Sequence, residues 1–264
     1  MTVTLTILGC GSSGGVPRIG GDWGLCDPAN PKNRRRRCSI LLERTEAAGT
    51  TRLLIDTSPD LREQMLSAGV GEIDGVCFSH EHADHTHGID ELRGFYLRQR
   101  RQVPIWADEP TMAMLKRRFS YCFETAPGSD YPPVAMPNLI VPGQDVAIAG
   151  EGGTISATPF EVHHGNIEAL GFRFGNTVYT PDLNGIPEAS VPYLSYLDLW
   201  IVDALKRGPH PSHFSLEDTL RAIARFKPQR AILTNMHIDM DYDTLRAELP
   251  AGVEPAYDGH KLLL

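Results

Sequence analysis

The chain has no run approaching the roughly 20 apolar residues that a membrane-spanning helix needs, which argues against an integral membrane protein. Residues 1–15 carry neither the basic segment nor the long apolar stretch of a signal peptide, so a cytoplasmic location is expected. Cysteine is sparse and scattered. Cys10, Cys26, Cys38, Cys77 and Cys122 are odd in number and contain no C-x-x-C pair, which argues against a disulfide framework and predicts mostly buried, reduced thiols. Positive charge is in deficit, with 25 Lys and Arg against 33 Asp and Glu. The net charge of -8 therefore offers no long-range attraction to nucleic acid or an anionic membrane. No basic arm or aromatic-interleaved basic stripe appears either, so neither long nucleic acid nor membrane is expected as a partner. Internal repeats and low-complexity tracts are absent. What remains is 264 residues, 41% hydrophobic, which suits a single globular domain over 1–264 with a substantial core.

Short apolar runs rich in β-branched residues read as strands at 3–8, 39–42, 53–55, 75–78, 105–107, 154–157, 170–174, 178–180, 199–202 and 231–234. Helical patterns fall at 60–68, 89–100, 110–118, 215–226 and 241–248. Ser215-Leu216-Glu217-Asp218 has the form of a capping box. Strands dominate both halves and helices are interspersed, so two sheets with outer helices fit better than one parallel sheet. The stretch 124–153, with Pro127, Pro132, Pro133, Pro137 and Pro142, reads as a long loop between the halves.

The strongest chemical signal is His80-Glu81-His82-Ala83-Asp84-His85, directly after the strand pattern at 75–78. Three imidazoles and a carboxylate at the end of a buried strand would lose hydration together, and a metal offsets that cost. Their mixed N/O donors suit zinc, manganese or iron. Three further candidates sit where other strands end: His164, Asp182 and His237.

Motif, order and strand-end placement resemble the metallo-β-lactamase superfamily, in which H-x-H-x-D-H is followed by a distant His, a bridging Asp and a last His. Within it the chain is similar to the branch of phosphoribosyl cyclic phosphate phosphodiesterase and, more distantly, ribonuclease Z. The supporting segments are 8–17, 56–60, 80–93, 211–215 and 256–259. The resemblance implies an α/β fold, a four-layer αββα sandwich, and two divalent metal ions, zinc or manganese. His80, His82 and His164 would hold one ion, Asp84, His85 and His237 the other, and Asp182 would bridge them. His163 is the alternative to His164, which is preferred because Gly165 follows it. At the last position the related pattern reads L-T-H whereas this chain has Leu233-Thr234-Asn235, so His237 is taken as the ligand and Asn235 remains the alternative. Some relatives carry a cysteine pair for a structural zinc near 22–26; only Cys26 is present here, so none is expected.

Two ions roughly 3.5–4 Å apart can share a water and lower its pKa, providing a hydroxide nucleophile. Asp84 and Asp182 then act as catalytic groups, with Asp182 setting the metal spacing, and the resemblance assigns His213 as proton donor to the leaving group. His210 is a weaker contender, His87 is expected to support the metal ligands by hydrogen bonding, and His260 to be unrelated. Lys32 to Arg37 is the one dense basic run, either a phosphate contact or a solvated face. Gly9 to Gly15 either presents backbone amides to an anion or makes a tight turn, and Arg93 and Lys206 are further phosphate candidates, each more plainly salt-bridge partners. The expected reaction is phosphodiester hydrolysis of a small phosphorylated substrate, such as a cyclic phosphate, a nucleotide or a short nucleic-acid end. Thioester or lactone hydrolysis on the same site is the alternative. A non-catalytic nucleic-acid-binding module with a structural metal is disfavoured, because structural sites are usually closed and cysteine-rich. A homodimer is the default assembly.

Overall fold

The computed structural model describes residues 1–125 and 127–264. Its strands are β1 (Thr2–Gly9), β2 (Ser39–Glu46), β3 (Gly49–Ile55), β4 (Gly75–Cys77), β5 (Val103–Ala107), β6 (Ala135–Leu139), β7 (Val146–Gly150), β8 (Gly153–His164), β9 (Ile167–Phe174), β10 (Thr177–Thr180), β11 (Leu199–Asp203), β12 (Arg230–Thr234), β13 (Val253–Pro255) and β14 (His260–Leu263). The helices are α1 (Leu61–Ala68), α2 (Ala83–Thr86), α3 (Leu92–Gln99), α4 (Glu109–Arg118), α5 (Leu216–Phe226) and α6 (Tyr242–Glu248). They build two seven-stranded sheets, ordered β14-β1-β2-β3-β4-β5-β6 and β13-β12-β11-β10-β9-β8-β7. None of the described helices is long and apolar enough to cross a membrane.

The period-2 alternation of the strands decides how the layers stack. Ile40 and Leu42 of β2, with Leu53 and Ile55 of β3, face the second sheet and join Phe160, Phe172, Tyr179, Trp200 and Ile232. Leu41 and Leu54 point the other way, into a cluster with Leu61, Met65, Leu92, Phe95, Met112 and Leu115 of α1, α3 and α4. On the far side, Leu216, Leu220, Ala222 and Ile223 of α5 pack onto the second sheet. The order is therefore helix, sheet, sheet, helix, the αββα arrangement expected.

Strand direction then locates the site. β1 runs antiparallel to β2 and β2 to β3, while β3, β4, β5 and β6 are parallel. In the second sheet β8, β9 and β10 alternate and β10 to β13 are parallel. So β1, β3 and β4, and likewise β8, β10, β11 and β12, end at one edge of the sandwich. Backbone bonds sew the two sheets together there: Met236 N donates to Cys10 O at 2.8 Å and Leu170 N to Ser79 O at 2.8 Å.

The stretch 124–153 is not a long loop. Apart from Ala126, which lies outside the described residues, it contains β6 and β7, the edge strands that close one sheet and open the other. Pro137 masked β6, yet proline is tolerated on an edge strand because an edge leaves backbone amides unpaired. All five cysteines are buried and free.

Candidate metal centre and active-site pocket

Asp56, just past β3, organises the motif after β4. It is fully buried in a left-handed backbone conformation, φ 65°. Its carboxylate accepts from Ser79 N at 2.7 Å, Ser79 Oγ at 2.8 Å and His85 Nδ1 at 2.8 Å, and Ser79 Oγ in turn lies 3.0 Å from His80 Nδ1. With both Nδ1 atoms engaged from behind, His80 and His85 present Nε2 forward, the tautomer a metal ligand needs. Those two Nε2 atoms are buried and have no hydrogen-bond partner. A buried, unpartnered nitrogen is costly unless something occupies it.

His164, the last residue of β8, is fixed in the same way: its Nδ1 lies 2.6 Å from Ser212 O, leaving Nε2 3.1 Å from His82 Nδ1. Gly165 has φ 65°, and a Cβ there would meet Ser212 Cβ at 2.8 Å. The glycine therefore admits the Ser212 backbone that orients the ring. The neighbouring His163 points outward and pairs with Glu168 at 2.9 Å. Asp182, two residues past β10, lies 3.7 Å from His80 Nε2, 3.2 Å from His85 Nε2 and 3.6 Å from His164 Nε2.

Two ligand groups result, with donor atoms all within 4.8 Å of one another: His80, His82, His164 and Asp182, and Asp84, His85 and Asp182. Asp182 belongs to both. Two unpartnered imidazole nitrogens and a shared carboxylate fit a pair of divalent ions. Burial, reinforced by the charge of His85, holds the His80 pKa well below its ordinary value, so its ring stays neutral and able to ligate. For Asp182, burial would raise the pKa, but His85, His213 and His80 outweigh it and hold the carboxyl well below the usual range.

The structure departs from expectation at His237, which lies in neither group. Asn235 follows β12 directly and its amide donates to Asp182 Oδ1 at 3.1 Å. Asn235 is in the left-handed conformation, φ 59°, which breaks the strand's alternation and turns His237 away. His237 instead contacts the Arg18 guanidinium and lies 3.1 Å from Asp239. His87 does not back the ligands; its ring packs edge-on against Phe119, 5.3 Å between centroids. His260 stacks on Tyr257, and Arg93 lies over Tyr131.

The basic run is spent on structure. Lys32 lies over the rings of Tyr242 and Tyr257, and Arg34 over Trp23. Arg35 is buried on Met240 O, while Arg36 pairs with Asp258 and Arg37 with Asp60, each at 2.9 Å. The glycine-rich loop is a turn: Gly11 N, Ser12 N and Gly15 N donate to Arg36 O, Met236 O and Ser12 O.

His213 lies three residues before the start of α5, which opens with the expected capping box of Ser215 and Asp218. Its ring lies 4.6 Å from that of His164, and its Nδ1 is 2.8 Å from Asp203 Oδ2. Burial opposes its charge, yet the hydrogen bond and negative charge of Asp203 raise its pKa to about 9. Burial pushes Asp203 up to about 7, against the pull of His213. The hydrogen bond thus favours a charged imidazole on His213 facing the Asp203 carboxylate. Asp203 and Asp56 were missed from sequence. Each ends an apolar strand in an acid, the signal that exposed Asp182, but neither belongs to the H-x-H-x-D-H pattern.

A pocket of about 330 Å³ opens over these groups, and its lining includes His82, Asp84, Asp182 and His213 together with Ser12, Arg18, Lys206 and His237.

Comparison with known proteins agrees with this geometry. Residues 51–238 match the family model described as a beta-lactamase superfamily domain. A diphosphatase of the PhnP family, the phosphoribosyl cyclic phosphate phosphodiesterase branch, has a structure 34% identical in sequence; the match covers 98% of this chain and 97% of that one, with TM-score 0.87. Human tRNase Z, short form, shares the fold at 15% identity, with 98% of each chain covered and TM-score 0.64. An octanoyltransferase of Porphyromonas gingivalis (strain ATCC BAA-308 / W83) is 28% identical over 261 residues, 98% of this chain, and the chain spans about half the length of that curated relative. With two seven-stranded sheets and a family match over most of its length, the chain belongs to the metallo-β-lactamase superfamily.

Proposed function

We propose that the protein is a metal-dependent phosphodiesterase acting on a small phosphorylated substrate, such as a cyclic phosphate or a nucleotide. The observation that carries this reading is the Asp203–His213 hydrogen bond beside the metal ligands, 2.8 Å from Oδ2 to Nδ1, which favours a protonated imidazole there. Two divalent ions bound by His80, His82, His164, Asp84, His85 and Asp182 would activate water and neutralise phosphoryl charge. The chain's own residues do the rest. Asp56 and Ser79 hold the His80 and His85 rings, and Ser212 O holds His164. Asp203 fixes His213 through Nδ1, leaving Nε2 to give its proton to a departing alkoxide. An alkoxide needs that proton; a thiolate leaves without it, which disfavours thioester hydrolysis.

The test compares leaving groups on the metal-loaded protein. Bis(p-nitrophenyl) phosphate should be hydrolysed. His213→Ala should lose about 10²- to 10⁴-fold on an alkyl diester such as a 2′,3′-cyclic nucleotide, and far less on the nitrophenyl ester, whose leaving group needs no proton. Turnover confined to thioesters or lactones would overturn the reading.

A further inference from the structure

A second pocket, of about 420 Å³, lies at α3 and shares no lining residue with the one over the metal ligands. Its floor is core. Val134 and Tyr96 belong to the cluster between the first sheet and its helices, and Val134 is tied by backbone bonds on both sides: its N donates to Cys122 O and its O accepts from Val103 N, each at 2.9 Å. Its rim is apolar surface left open to water, with Leu97, Tyr121 and Tyr131 51%, 52% and 67% exposed. Exposed apolar groups gathered in one concavity mark binding sites, whereas scattered ones need no explanation.

The charged groups of this lining are unspent and balanced. Arg93 and Arg100 have no carboxylate within ion-pair distance among the described residues, whereas their neighbours Arg98 and Arg101 pair with Glu72 and Asp74. Arg93 lies over the Tyr131 ring, 4.8 Å from guanidinium carbon to centroid, a stacking that occupies the guanidinium face and leaves its N–H edge to donate. Asp90 and Glu124 set two carboxylates against the two arginines. The Tyr121 hydroxyl, its pKa pushed up to about 12 by burial and then by Cys122 and Asp90, stays neutral and adds no charge. With no net charge on the lining, free phosphate or a simple cation gains little there. What the lining matches is a flat ring that stacks on tyrosine and carries, on its edge, acceptors for a guanidinium and N–H donors for a carboxylate.

We propose that this pocket binds a nucleobase. Guanine meets the pattern best, because its O6 and N7 accept side by side from an arginine while N1–H and the 2-amino group are free to donate to a carboxylate. The inference uses none of the residues of the metal centre and stands apart from the phosphoryl reading.

The experiment titrates the metal-loaded protein with guanosine, which has no phosphate to draw it to the metal ions, and follows binding by calorimetry. Saturable binding is expected, and Tyr131→Ala should weaken it about tenfold or more, the effect of losing a stacking partner. Both Tyr131 and Arg93 are exposed, so neither holds the core together, and Arg93→Gln should weaken binding in the same direction. A second arm tells a base that arrives on the substrate from one that arrives free. If Tyr131→Ala also raises KM for guanosine 2′,3′-cyclic phosphate, with kcat and metal content unchanged, the pocket holds the substrate's base; if that KM stays as in the parent while guanosine binding is lost, it holds a separate nucleoside or nucleotide. No saturable binding of guanosine, or an affinity within about twofold of the parent in both variants, overturns the site.

Discussion

The position framed by His80, His82, His164 and Asp182 and the one framed by Asp84, His85 and Asp182 share a carboxylate but differ in everything else. The first draws three imidazoles and one carboxylate from both sheets. The second has one imidazole and two carboxylates, and the nearby strand end of β12 supplies Asn235, which donates a hydrogen bond to Asp182. Imidazole-rich sets suit zinc, and carboxylate-rich sets shift preference toward harder ions such as manganese. With fewer ligands the second position should also bind more weakly, so the two ions are expected to load in order. One residue at one strand end separates a four-ligand position from a three-ligand one.

The largest effect should come from the residue common to both. Asp182→Ala removes a ligand from each position and leaves the buried His80 and His85 rings without their carboxylate. Mass spectrometry should find metal content reduced at both positions, and phosphodiesterase activity should fall beyond the roughly 10⁴-fold upper range of a lost proton donor. Retention of two ions per chain by this variant would remove Asp182 from its bridging place.

Next in size is Asp56→Asn. Asp56 touches His85 directly and His80 only through Ser79 Oγ, so the loss should fall harder on the second position. Supporting partners of this kind cost about 10- to 100-fold in metal affinity when changed. Chelator competition with one and two equivalents of zinc separates the positions, and an equal loss at both would contradict the asymmetry.

Protons should also tell the positions apart. Burial and the charge of His85 hold His80 neutral, and burial does the same for His164 despite Asp182. His85 runs the other way: burial disfavours its charge, but Asp182, Asp84 and Asp56 outweigh it and raise its pKa well above the ordinary value. A ligand must lose its proton to bind, so below a raised pKa the apparent affinity falls by about tenfold per pH unit, while a lowered pKa delays that loss to lower pH. As pH drops from neutrality the second position should therefore empty first. Simultaneous release, followed by metal analysis across the acid range, would deny the difference.

How much of this was legible in the sequence depended on whether a residue's role is local. The six-residue motif is contiguous, and His164 and Asp182 stand out as polar residues ending apolar strands. Asp56 and Asp203 give the same signal, but they act through a histidine, and that contact forms only when β3 lies beside β4 and β11 beside the His213 loop. The basic run was visible as charge, whereas its partners Asp60 and Asp258 are distant in the chain. β6 and β7 were hidden because short edge strands carry weak alternation and, in β6, a proline. His237 was taken as the ligand because the related pattern has a histidine where this chain has Asn235, yet Asn235 itself meets Asp182 and His237 turns to Arg18 and Asp239.

That same turn makes the smallest and most direct test possible. Asn235→His would place an imidazole where the amide now meets Asp182. Histidine is among the residues that tolerate the left-handed conformation, so φ 59° is not an obstacle. Asn235 itself is buried, but it borders the pocket of about 330 Å³, which gives the larger ring room. The second position would then have four ligands like the first, and its affinity should rise by roughly tenfold, the low end of what a metal-site partner contributes. The reading is the second zinc equivalent retained after chelator challenge, which needs no assay of turnover. An unchanged second affinity in a folded variant would mean that the weakness of this position lies in its carboxylates rather than in Asn235.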